Sequence, residues 1–110
     1  MGAEKKAIRK KFRDAVYKRD GFRCAVCNMK SSKDNAEKEL DAHHITDRTL
    51  MPNGGYVKEN GISLCPLCHE KAEVFHSTGL PIEGYSIEEL YNKINSNYEK
   101  AVEASKKLDS

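Results

Sequence analysis

Apolar residues return every three or four positions at the start of the chain. Ile8, Phe12, Ala15 and Val16 stand at i, i+4, i+7 and i+8, which predicts an amphipathic helix over 4–19. Lys5, Lys6, Arg9, Lys10, Arg13 and Lys18 cover its other faces, and Asp20-Gly21 supplies the stop. A tight knuckle follows at 22–29, then a polar stretch without period, 30–39, that reads as a connector. Two short apolar runs, 40–45 and 62–64, predict paired strands around a long loop, 46–59, holding Pro52 and the Asn53-Gly54-Gly55 turn. Pro66 suits the first position of a helix running to about residue 75. Beyond a linker at 77–84, Ser86 and Glu89 form a capping box. Ile87, Leu90, Tyr91, Ile94, Tyr98 and Val102 continue behind it as one stripe, which predicts a single C-terminal amphipathic helix to about residue 106.

Composition adds a constraint. With 110 residues, 38% hydrophobic content and no Trp, the chain predicts one domain with a thin apolar core. A bound metal would offset that deficit, because binding at a site absent from the unfolded chain is folding energy. The net charge of +2 hides an asymmetry: residues 1–23 carry nine Lys/Arg against three acidic groups, and the remainder is net acidic. A basic arm of this kind is expected to meet a polyanion, although a solvated helix face accounts for the charge alone equally well. No run approaches the roughly 20 apolar residues that span a bilayer, and no signal peptide is legible. The expectation is a soluble, cytoplasmic protein with no membrane association.

Four cysteines change the picture most. They form two CxxC pairs, Cys24/Cys27 and Cys65/Cys68, separated by 37 residues. In a reducing compartment such pairs predict a four-thiolate structural Zn2+ site, and no thioredoxin-like βαβ pattern supports a redox role. That leaves the histidines over. His43 and His44 are adjacent on the first expected strand, and His69 directly follows the last cysteine on the expected helix. Glu73, four residues on, shares a helical face with His69. If the zinc holds that helix to the strand, His43, His69 and Glu73 can converge on a second, divalent ion. His44 then remains as a general base. His76 reads as an ordinary surface or satisfied core histidine.

Three ordered blocks, RDAVYKRDGFRCAVC at 13–27, LDAHHI at 40–45 and ENGISLCPLCH at 59–69, closely resemble the HNH endonucleases. The similarity spans residues 13–75. It implies an α+β, ββα-metal core stapled by the four-cysteine zinc site, with the basic N-terminal and amphipathic C-terminal helices flanking it. On that template 1–22 is the basic helix, 23–76 the core, and 77–110 the linker and C-terminal helix. The positions that name the family map to His44 or the His43-His44 pair, Asn60 and His69. The resemblance implies that His43 and His69 hold the catalytic ion, that His44 activates water, and that Asn60 braces the long loop and orients the base. Glu73 stands where some relatives carry a further ligand.

The implied reaction is hydrolysis of DNA, by nicking or double-strand cleavage, with Mg2+ or Mn2+ as the catalytic ion. Ni2+, Co2+ or Zn2+ also suit a histidine-rich shell. Lys6, Arg9, Lys10, Arg13 and Arg48 are expected to contact the DNA backbone. A phage packaging, restriction or other protein partner would supply target choice, and the C-terminal helix allows a monomer or a homodimer. The competing expectation is a non-catalytic zinc module that binds nucleic acid or serves assembly.

Overall fold

Two four-residue strands stand at the centre of the structure, β1 (Asp41–His44) and β2 (Gly61–Leu64), paired antiparallel. The register sets Asp41 against Leu64, Ala42 against Ser63, His43 against Ile62 and His44 against Gly61. The computed structural model describes residues 2–108, with side chains from Lys6 onward, so the Lys5 side chain and residues 109–110 lie outside it. Every β2 residue is buried. A two-stranded ribbon cannot bury enough by itself to stand in water, so neighbouring elements cover it.

The turn after α1 (Gly2–Arg19) closes the free edge of β2. Ser63 N donates to Asp20 Oδ2 (2.9 Å), Arg19 Nη2 donates to Gly61 O (2.7 Å), and Ala25 N donates to Ser63 O (2.8 Å). Arg19 in turn clasps both Asp20 carboxylate oxygens at 2.8 Å. An edge that would otherwise template another strand is thereby capped. The helix itself buries Phe12, Val16 and Tyr17. Its approach to the sheet depends on Gly61: a Cβ there would stand 2.6 Å from both Phe12 Cε1 and Val16 Cγ2.

Three expectations need correction. The connector at 30–39 contains a one-turn helix, α2 (Ala36–Glu39), formed where Ala36 and Leu40 enter the core. The long loop holds 3-10 turns at Arg48–Leu50 and Lys58–Asn60 on either side of the expected Asn53-Gly54-Gly55 turn, where Asn53 and Gly54 are left-handed (φ 53° and 83°). The single C-terminal helix is two, α4 (Ile87–Lys93) and α5 (Tyr98–Lys106). Asn95 turns left-handed (φ 59°), Asn97 caps α5 by accepting from Lys100 N, and Ser96 Oγ donates to Glu59 O at 2.9 Å. Short polar side chains that bond backbone favour such a break over continued helix.

The remaining elements follow the pattern read from the chain. Helix α3 (Pro66–Thr78) starts with Cys65 as N-cap and Pro66 behind it, and ends at Gly79 (φ 80°). The Ser86/Glu89 capping box opens α4. The core joins Val16, Ile45, Ile62, Leu64, Leu90 and Ala101, all fully or almost fully buried. Among the described residues no helix is long and apolar enough to cross a membrane.

Candidate active site

The two cysteine pairs meet at the end of β2. Cys24 lies in a knuckle closed by Cys24 N to Met29 O (2.9 Å), and Cys65 caps α3. Ligand atoms of all four cysteines lie within 4.8 Å of one another, with Cys27 and Cys65 sulfurs 3.6 Å apart. A disulfide would need about 2.05 Å. Four sulfurs at about 2.3 Å from one zinc stand about 3.8 Å apart, so the arrangement fits a tetrahedral Zn2+ site. Donors surround it: Cys27 N points to Cys24 Sγ and Cys68 N to Cys65 Sγ (both 3.5 Å), and the Tyr85 hydroxyl donates to Cys68 Sγ (3.3 Å). Without a cation, burial pushes the Cys68 thiol up to about 12.

The second cluster begins one residue later. His69 shares a face of α3 with Glu73, their Nε2 and Oε1 atoms 3.1 Å apart, and β1 brings His43 Nδ1 to 3.3 Å from the same Glu73 oxygen. His43, His69 and Glu73 each offer one ligand atom within 4.8 Å of the others. His43 is 3% exposed and its Nε2 has no hydrogen-bond partner. Burial, then the charges of His69, His76 and His44, lower its pKa to about 3, so it stays the neutral imidazole that a metal requires. The donor set fits a divalent ion with open positions for water and phosphate.

Sequence reasoning missed two neighbours. Asp41 Oδ2 lies 3.3 Å from His69 Nδ1, and the His76 ring lies 5.4 Å from the His43 ring. Both were readable: Asp41 is two residues from His43 on a strand, and His76 is seven from His69 on a helix. An open cleft of about 280 Å³ is lined by His43, His44, Arg48, His69, Glu73 and His76, among others.

His44 borders this cleft on an aromatic bed. Its ring stacks on Phe12 (4.6 Å between centroids) and meets Tyr56 edge-on (4.8 Å). Burial, with the Arg48 charge second, lowers its pKa to about 4, while Asp47 and the Gly54 backbone oppose the shift. Asn60 lies behind, fully buried, with every polar position used. Its Oδ1 accepts from Thr46 N (3.0 Å) and the Tyr91 hydroxyl (2.8 Å), and its Nδ2 donates to Thr46 O (3.0 Å) and Gly55 O (3.3 Å). It therefore ties both ends of the long loop to the strand end that carries His44.

The basic residues separate into two groups. Arg48 Nη1 donates to the Tyr56 hydroxyl (3.0 Å), and Arg9 lines the same cleft; burial raises the Tyr56 pKa, and the two cations more than reverse that. Lys10 instead pairs with Asp14 (2.7 Å) and Arg13 with Glu37 (3.3 Å), while Lys6 stands exposed in solvent.

Residues 24–74 match the model of the HNH endonuclease family. The matched segment is similar to HNH endonuclease domains and covers just under half of the chain. The match runs from Cys24 to just past Glu73, so it contains both clusters and leaves α1, α4 and α5 outside. The match points to nuclease or other nucleic-acid-related activity, and both clusters within it could hold a metal ion. No curated protein and no solved structure matches the chain.

Proposed function

We propose that the protein is a metal-dependent HNH endonuclease that hydrolyses phosphodiester bonds in DNA. One observation carries the reading: His43, His69 and Glu73 offer ligand atoms in the same open cleft that a neutral His44 borders. His44 accepts the proton of the attacking water, as a neutral imidazole can near pH 7. His43, His69 and Glu73 would hold Mg2+ or Mn2+, with Ni2+, Co2+ or Zn2+ also compatible with the imidazoles. That ion, when bound, offsets charge developing on the phosphate and the 3′ leaving oxygen.

Cys24, Cys27, Cys65 and Cys68 take a structural Zn2+, which fixes α3 and hence His69 and Glu73. Asn60 is a positioning residue, because its four hydrogen bonds hold the β1 end and the loop in one geometry. Lys6, Arg9, Lys10, Arg13 and Arg48 supply backbone contacts without sequence preference. Residues 1–110 act as one nuclease domain, and a protein partner, for example of a packaging or restriction system, selects the target.

The experiment is nicking of supercoiled plasmid with Mg2+ or Mn2+, comparing the parent with His44→Ala. The parent converts plasmid to the open circle, and His44→Ala does so roughly 10²–10⁴-fold more slowly. A parent that binds DNA yet stays inert with Mg2+, Mn2+, Ni2+ and Co2+ overturns the reading and leaves a non-catalytic binding module.

A further inference from the structure

Two arginines and a tyrosine line one cleft beside the histidine cleft. Arg48, from the long loop, donates to Tyr56 Oη, and Arg9, from α1, lines the same cleft. Neither guanidinium has a carboxylate partner among the described residues, whereas Lys10, Arg13, Arg19 and Lys106 each have one. Bringing two like charges together costs free energy unless an anion joins them. Because Arg48 donates to Tyr56 Oη, the hydroxyl proton is left to donate to a third group. Arg9, Arg48 and Tyr56 line an open cleft of about 380 Å³ with Asn53 and Gly54, and Arg48 also lines the histidine cleft.

Arg9 is not carried on a loose arm. Helix α1 is pressed onto β2 at Gly61, and its Phe12 stacks on His44 and meets the Tyr56 ring edge-on at 5.7 Å. One packed trio of rings therefore fixes the Tyr56 hydroxyl relative to His44. We infer that α1, outside the HNH segment, completes a second anion subsite in which Arg9, Arg48 and Tyr56 grip a backbone phosphate of the same nucleic-acid strand whose neighbouring phosphate enters the histidine cleft. The inference rests on the nuclease reading only for what happens to that neighbouring phosphate. The guanidinium forks and a phenol donor match phosphate oxygens, and contacts of this kind place a strand without reading its sequence.

The test is equilibrium binding of a labelled DNA duplex by the whole chain in a His44→Ala background, so that no turnover blurs it. Arg9→Gln and Arg48→Gln each weaken binding about tenfold, lower the salt dependence of log K by about one unit, and leave far-UV dichroism unchanged. Arg9→Lys, with charge but no fork, recovers only part of the loss. Lys38→Gln controls for lost charge in general and binds as the parent does. Single methylphosphonates walked along one strand then identify one position whose neutral substitution weakens the parent but adds nothing in Arg9→Gln.

The inference is overturned if Arg9→Gln, Arg48→Gln and Tyr56→Phe bind no more weakly than Lys38→Gln. It is also overturned if Arg9→Gln shows the parent's methylphosphonate profile, or if the chain binds no DNA. A chain that never cleaves but passes the binding test loses the nuclease reading and keeps the subsite.

Discussion

The zinc knuckle and the histidine cleft start from the same turn of α3 and come out as opposites. In the knuckle, four like ligands face one point, backbone and tyrosine donors occupy the sulfurs, and three of the four cysteines are buried. Nothing there leaves a coordination position for water. In the cleft the donors are mixed, and the Glu73 side chain is half exposed at 50% against 2% for His43. One cluster is closed and chemically silent, the other open on one side. The difference comes from burial and donor symmetry as much as from residue type.

The largest effect should come from opening the closed site. Cys24→Ser removes a buried ligand from a core too thin to fold well alone; structural zinc contributes about 10–16 kcal/mol, so cooperative thermal unfolding should disappear. A retained sharp transition by circular dichroism would mean that the knuckle is dispensable. His44→Ala tests the open site and should do the reverse, losing about 3–5 kcal/mol of transition-state stabilisation while the domain stays folded. If that variant unfolds instead, His44 belongs with the staple and the contrast fails.

Asn60→Ala stands between the two. It strands Thr46 N, Thr46 O and Gly55 O, which costs about 2–4 kcal/mol and lowers the melting temperature by roughly 10–20 °C. A shift of under 2 °C would refute its role as brace. The smallest effect is acid lability. His43 and His44 titrate near 3 and 4 in the folded chain against about 6.5 unfolded. Between those values the unfolded chain binds more protons, so stability is complete above pH 6.5 and falls as pH drops toward 4. Urea unfolding at pH 7 and pH 5 should differ by about 1–2 kcal/mol more in the parent than in His44→Asn; equal differences would count against a neutral buried His44.

Much of this was legible where local chemistry dictates structure. The strands, the Cys65-Pro66 helix start, the Ser86/Glu89 box and the grouping of the four cysteines followed from local pattern and spacing, while the choice of His43 over His44 as the ligand came from the family resemblance. What escaped depends on tertiary placement. Ile94 and Val102 keep an apolar rhythm across the break at Asn95, because two helices packed on one core both need an apolar face, whereas Tyr98 between them stands exposed. His76 looked like a lone surface histidine until α3 turned it toward His43. Tyr56 carried no motif at all, and the cleft it shares with Arg9 and Arg48 exists only once α1 has docked. The basic arm read as a uniform patch because sequence cannot show that Asp14 and Glu37 neutralise Lys10 and Arg13.

Cys68 and His69 are consecutive residues, so a single peptide unit of about 3.8 Å sets the offset between the two clusters. Insertion of one residue there would turn His69 and Glu73 by about 100° around the helix axis and carry them away from His43, with the zinc ligands undisturbed. The stretch 65–73 should therefore tolerate exchange of its exposed side chains, such as Leu67, but no change of length. The connector from Gly79 to Tyr85 is under no such rule until Tyr85 reaches Cys68. In this protein length, more than identity, is the quantity that segment must preserve.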